Sequence, residues 1–275
     1  MTEATFLALG AAVLHAGWNL LLKRSDERVV TGWGFYLFGG LLFVPVLPFV
    51  ELPGSSALPY LGTSSVVHVA YILALSSAYH HGDFSLTYPL ARGGGALLAA
   101  VGGVAFLDDH LSAAAWLAIA IVVGGLASLV RPGAERVALL FAGLTAATIG
   151  TYTTLDAAGA RRSSGFGYAI LLTLASGIAM SAAGIATGYG PRFVEAVRTD
   201  WRRLVAGGLA STLAYSLVLA AARLAPVGYV AALRESSVVL GAGAGWLLLH
   251  ERLGRARLAS SGVVATGLIL LITVR

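Results

Sequence analysis

Long apolar runs alternate with short charged or Pro/Gly-bearing breaks along the whole chain, and this pattern predicts ten helices. They fall at 4–22, 30–50, 61–80, 84–107, 112–130, 137–155, 165–188, 204–222, 226–249 and 258–274. Each approaches the roughly 20 residues that a helix needs to cross a hydrocarbon core about 30 Å thick. The first run has no basic leader. It is followed by Lys23 and Arg24 rather than a small-residue cleavage site, and nine similar runs come after it, so it reads as a retained span and not a signal peptide.

Composition agrees with that solvent. Of 275 residues, 57% are hydrophobic and 11% charged, which excludes a water-soluble fold for most of the chain. Ten spans of about 20 residues leave room for short connections and for no extramembrane domain. The 18 Lys and Arg against 13 Asp and Glu lie mostly between apolar runs, not on one soluble face, so no nucleic-acid partner is expected. With ten alternating spans, Arg161, Arg162, Arg223 and Arg275 share the face of the two termini. Lys23, Arg24, Arg28, Arg131, Arg136, Arg192, Arg198, Arg202, Arg203, Arg252, Arg255 and Arg257 lie on the other. The positive-inside rule makes that second face cytoplasmic. The absence of cysteine excludes disulfides, thiolate catalysis and Cys-ligated metals.

The chain also repeats itself. Residues 85–130 align without a gap on 227–272, pairing Arg92 with Arg234, Gly103 with Gly245, Asp109 with Glu251 and Gly125-Leu126 with Gly267-Leu268. Weaker matches continue through the earlier helices, so the predicted domains are 1–133 and 134–275, five helices each. An odd number of spans per unit makes the second enter the membrane from the opposite side. The predicted fold is therefore an all-α integral membrane protein, ten transmembrane helices in two inverted five-helix repeats around a central cavity.

Ionisable side chains inside apolar runs cost about 2.5 to 3.5 kcal/mol on insertion scales and need a partner or an aqueous cavity. Arg92, Arg234 and Glu235 are such cases, with Tyr88 one turn before Arg92 on its face. Arg234 and Glu235 point about 100° apart, which turns Glu235 toward another helix, with Arg92 a candidate partner. Two readings stand side by side: a buried network pinning the repeats together, or a positive centre that receives a substrate carboxylate or phosphate. His15, Trp18 and Asn19 share one face of the first helix, and their repeat equivalents are Thr148, Thr151 and Tyr152. His68 and Tyr71 correspond in the same way to Thr212 and Tyr215. Recurring polar stripes are what a central pathway requires. Trp33 and Tyr36 read slightly better as an interfacial aromatic belt, and Tyr229 is ambiguous. The polar groups Asp108-Asp109-His110 and His80, His81 and Asp83 look like helix-end loops, so no metal site is expected. No phosphate-binding G-x-x-x-x-G-K-[ST], G-x-S-x-G or H-E-x-x-H motif occurs, which disfavours an ATP-driven pump and a membrane enzyme.

The segment His15-Ala16-Gly17-Trp18-Asn19 closed by Lys23-Arg24 and the run Gly82 to Arg92 (GDFSLTYPLAR) resemble the drug/metabolite transporter superfamily, in its ten-helix form with two EamA-type repeats. So do the turn Leu107-Asp108-Asp109-His110-Leu111 and its copy Leu249-His250-Glu251-Arg252-Leu253. The resemblance covers essentially the whole chain. It implies a basket-like bundle that exports or exchanges small metabolites, amino acids or drugs, with proton or counter-substrate coupling in many members. It also implies cytoplasmic termini, against the charge tally. The first turn departs from the family's usual glycine, glutamate and arginine and is read as structural.

The expected function is secondary active transport, export or exchange, of a small anionic or zwitterionic metabolite such as an amino acid or organic acid. The expected location is a bacterial-type plasma membrane, with the lipid bilayer and a small molecule as partners and no cofactor. Candidate substrate-binding residues are His15, Trp18, Asn19, Tyr71, Tyr88, Arg92, Tyr152, Tyr215, Arg234 and Glu235. His15, with an unperturbed pKa near about 6.5, is the candidate for proton coupling. Alternatives are a flippase for lipid-linked substrates, and a non-transporting scaffold or intramembrane enzyme.

Overall fold

The computed structural model describes residues 1–81, 84–128, 135–163, 165–240 and 255–274. Every regular element among them is helical. They are α1 (Thr2–Lys23), α2 (Arg28–Phe43, continued by a 3-10 turn Val44–Phe49), α3 (Leu58–His81), α4 (Phe84–Phe106) and α5 (Ala113–Ala127). The second half gives α6 (Arg136–Arg161), α7 (Gly165–Ala186), α8 (Gly190–Leu224), α9 (Val227–Arg234) and α10 (Arg255–Thr273). Six of them, α1 to α3 and α6 to α8, are long and apolar enough to cross a membrane as they stand. Leu90–Phe106, Ala113–Ala127 and Ala259–Thr273 are shorter apolar helices. At 1.5 Å per residue the 15 residues of α5 rise about 22 Å, less than the core thickness, and Ser112 caps its start by accepting from the Ala115 amide.

Two elements differ from the sequence pattern. The pattern starts the eighth helix at 204, whereas α8 begins at Gly190 and bends at Asp200 (φ −135°, ψ 22°). Its first part lies as a separate charged helix, held by Phe193 stacked on Trp33 at 3.9 Å and by Arg192 beside Glu27 at 3.6 Å. The pattern also draws one helix over 226–249. Instead α9 stops at Arg234, Glu235 forms a turn with its amide on the Ala232 carbonyl at 3.0 Å, and 236–240 resume as helix. Residues 241–249, with the glycines at 241, 243 and 245, lie outside the described residues.

Large apolar side chains lie on the outside while a cluster of charged and polar ones is buried within the core. Phe6, Val66 and Ile185 are 72%, 67% and 68% exposed, while His68, Arg92, Asp156, Arg234 and Glu235 are buried. Lipid is the solvent that makes such an inversion stable. α1 packs on α8, α6 on both α3 and α4, α2 on α7 and α8, and α5 on α10.

Backbone-to-backbone approach at glycines sets these interfaces. A Cβ at Gly40 would stand 2.5 Å from Leu174 Cα, and one at Gly177 would stand 2.7 Å from Leu37 Cα. The contact is reciprocal: Leu37 and Gly40 meet residues 137 positions further on, Leu174 and Gly177. α5 and α10 do the same, with Gly125 against Val264 and Gly267 against Val122. Gly40→Val is expected to cost about 1 to 3 kcal/mol by overpacking, read as a lowered midpoint of thermal unfolding in detergent. An unchanged midpoint would mean that α2 and α7 are not this close.

Candidate functional site

Where α1 to α4 and α6 to α9 converge, they line a cavity of about 90 Å³. Its wall carries His15, Trp18 and Asn19 from α1, Tyr36 from α2, His68 and Tyr71 from α3, Arg92 from α4, Tyr152 from α6, Tyr215 from α8 and Arg234 from α9. The spacing of three and four residues on α1 puts its trio on one face. Trp18 meets the His15 ring edge-on at 4.7 Å, and Asn19 donates its amide to the His15 carbonyl at 2.7 Å. Opposite them stands an aromatic box. His68 stacks on Tyr152 at 4.2 Å, and Tyr36, Tyr71 and Tyr215 meet one or the other ring at 5.5 to 6.4 Å.

The adjacent charges on α9 part company at the turn. Glu235 takes Arg92 in a two-pronged bond, Nε to Oε2 at 3.2 Å and a terminal nitrogen to Oε1 at 2.8 Å, both side chains buried. Arg234 instead faces the cavity over the Tyr215 ring, 6.0 Å from its centroid, and reaches toward the Tyr152 hydroxyl. No carboxylate lies within ion-pair distance of Arg234 among the described residues. The cavity therefore holds one guanidinium whose charge is already met and one whose charge is not.

The cavity lining extends from the middle of the bundle toward the face opposite the N-terminus. Leu22 at the end of α1 and Tyr79 at the end of α3 line its outer part, and Arg234 and Tyr215 its floor. Beyond the floor, Ala4, Ala8, Tyr229, Val230 and Leu233 pack together, with the Thr5 and Tyr229 hydroxyls 2.7 Å apart. Asp109 closes the same side. It accepts the Val227 amide at 2.7 Å and pairs with Arg161 at 2.7 Å, while Arg161 also donates to the carbonyls of Leu107, Ala222 and Ala225. A carboxylate at the first turn of α9 also suits the helix dipole.

A family model, the EamA-like transporter family, matches residues 136–273, half of the chain. The chain belongs to the EamA-like transporter family. It is thereby a multi-pass membrane protein of the drug/metabolite transporter superfamily, whose members are transporters and not enzymes. One solved structure, described only as the crystal structure of a protein, superposes on it with a TM-score of 0.76. The likeness covers 99% of each chain at 14% identity and speaks for the fold alone. No curated protein matches it.

For this EamA-family chain, eight of the ten candidate residues meet on one cavity wall, and Glu235 sits behind it on Arg92. The Tyr88 side chain lies outside the described residues. The aromatic-belt reading fails for Trp33 and Tyr36. Trp33 is buried, its indole N–H on Ser181 Oγ at 2.8 Å, because the charged helix at the start of α8 covers it, and Tyr36 lines the cavity. Tyr229 is buried as well. The sequence reading missed Asp156, which accepts the Tyr215 hydroxyl and, at 3.4 Å, the Tyr168 hydroxyl. Ending the sixth helix at 155 put Asp156 in a loop, whereas α6 continues to Arg161. The signal was there: Ala157 to Ala160 are good or tolerable helix residues, and the basic pair Arg161-Arg162 marks the end.

Proposed function

We propose that this protein carries a small anionic or zwitterionic metabolite, of the size of an amino acid or short organic acid, by alternating access. It would act as an exporter or exchanger in a bacterial-type plasma membrane. The observation that carries the reading is Arg234, a buried guanidinium on an aromatic-lined wall with no carboxylate within ion-pair distance among the described residues. A buried planar fork of donors is suited to a carboxylate. Arg92, held by Glu235, supplies position and field and leaves Arg234 to grip the anion. At about 10 to 15 Å³ per water, the cavity has room for about six to nine waters or a solute with that many heavy atoms. His15, Trp18, Asn19, Tyr71, Tyr152 and Tyr215 would contact the rest of the molecule, and Tyr88 belongs to the same proposal.

The frame proposed for this transport is a pair of inverted five-helix units, 1–133 and 134–275. Its support is the reciprocal contacts of α2 with α7 and of α5 with α10. A residue that meets its partner's equivalent, and the reverse, is the signature of a twofold relation. The cavity lining reaches the ends of α1 and α3, the side to which the sequence tally assigns twelve Lys and Arg. By charge that side is cytoplasmic, so the described state would be inward-facing.

The test is thermal stabilisation of the purified protein against amino acids, organic acids, phosphonates and amphiphilic drugs. A ligand at 100 times its Kd adds about 2.7 kcal/mol and raises Tm. A carboxylate-bearing compound of amino-acid size is expected to do so. Stabilisation by apolar amphiphiles alone would overturn the anion site.

A further inference from the structure

Three carboxylates are buried among the described residues. Glu235 holds Arg92 and Asp109 holds Arg161. Asp156 differs. It is wholly buried on α6, it has no ion-pair partner among the described residues, and its oxygens accept from the hydroxyls of Tyr168 and Tyr215, with the Ser64 hydroxyl nearby. The titratable and charged groups facing it are His68 from α3, Tyr36 from α2, Tyr152 from its own helix, Tyr168 from α7, Tyr215 from α8 and Arg234 from α9. Of these only histidine ordinarily changes charge near neutral pH.

Asp156 is not on the cavity wall, yet two wall residues lead to it. Tyr215 reaches it directly. His68 reaches it through Ser64, with Nδ1 2.9 Å from the Ser64 carbonyl and 3.2 Å from Ser64 Oγ. A carbonyl can only accept, so Nδ1 carries the hydrogen and Nε2 is left as an acceptor. Ser64 Oγ in turn is free to donate to Asp156. A carboxylate kept in the bilayer interior without a direct ion-pair partner is expensive, and intramembrane carboxylates of this kind mark ion and proton pathways. A substrate ammonium or a metal cation would have to displace the hydroxyls and occupy space that the cavity does not include. A proton needs no space.

We propose that Asp156 is the proton-binding site that couples transport to a proton gradient, exchanging its proton with the cavity through Tyr215, with His68 and Ser64 as a second route. The proton passes from cavity water to the Tyr215 oxygen as the Tyr215 proton moves to Asp156 Oδ2. Only O–H bonds form and break, and one negative charge is neutralised per proton. The inference rests on the transporter reading above. It moves coupling away from His15, which lines the cavity together with both arginines and so shares the substrate's own space.

The test exploits the absence of native cysteine. Ser211→Cys places a single thiol on the cavity wall, and its labelling by a water-soluble maleimide is followed from each face of proteoliposomes between about pH 5 and 9. Rates are divided by that of the same thiol in unfolded protein, which removes the thiol's own titration. The expected result is a sigmoidal pH dependence that Asp156→Asn abolishes, holding labelling at its low-pH level, and that Asp156→Glu restores. Should Asp156→Asn fail to fold, Tyr215→Phe keeps the carboxylate and is expected to move the midpoint by about one pH unit. The proposal is overturned by a wild-type profile in Asp156→Asn, by an unmoved midpoint in Tyr215→Phe, or by a pH dependence lost in His15→Gln or His68→Gln and kept in Asp156→Asn. Labelling that occurs from both faces in turn but ignores pH also overturns it. Labelling from a single face under every condition would sink the transporter reading itself.

Discussion

Arg234→Ala is expected to weaken binding of any carboxylate compound that stabilises the protein by about 30-fold or more, with the fold intact. Losing one partner of a buried, hydrogen-bonded charge pair costs about 2 to 5 kcal/mol, and 1.4 kcal/mol is tenfold in affinity. Arg234 has no carboxylate within ion-pair distance among the described residues, so its removal breaks no direct ion pair in the fold. Arg234→Lys keeps the charge without the planar fork and is expected to recover part of the loss. The measurement is the ligand concentration dependence of Tm for wild type and both variants. Equal affinity in wild type and Arg234→Ala would place the anion elsewhere.

The pair behind that site should respond in the opposite way. Arg92→Met and Glu235→Leu are each expected to destabilise the protein by about 3 to 5 kcal/mol, because each leaves its partner's charge buried and unpaired. The double variant removes both charges and is expected to recover most of that, since replacing a buried ion pair with apolar residues is often close to neutral. Reversible unfolding in mixed micelles measures all three, and the deviation from additivity gives the coupling directly. Strictly additive losses would mean that Arg92 and Glu235 act independently. A strong positive coupling would make the pair the tie between α4 and α9, and so combine the two readings that the sequence leaves open: network for Arg92 and Glu235, receptor for Arg234.

Much of this was legible in the residues because the bilayer makes polarity informative. A charge in a long apolar run has to be explained, so Arg92, Arg234 and Glu235 stood out at once, and three-and-four spacing put His15, Trp18 and Asn19 on one stripe. What failed was judgement at helix ends, where apolarity fades and helix does not. Asp156 sits beyond the apolar run yet inside α6, and residues 190–203 are charged yet helical. The same blindness misread Trp33. Its position near a helix start looks interfacial until Phe193, 160 residues later in the chain, stacks upon it. The break at Glu235 was not readable either, since Ala232 to Ser236 contains neither proline nor glycine. It falls at the residue that pairs with Arg92 on another helix.

The most direct test of the central claim is counterflow in proteoliposomes. Vesicles are loaded with a high concentration of the carboxylate compound that best stabilises the protein, and entry of the same compound, labelled, is followed from outside. Wild type is predicted to accumulate label transiently against its gradient, and Arg234→Ala to lose at least about nine-tenths of that accumulation. Label entering equally in both, or wild type binding the compound without moving it, would contradict a transport pathway built on Arg234.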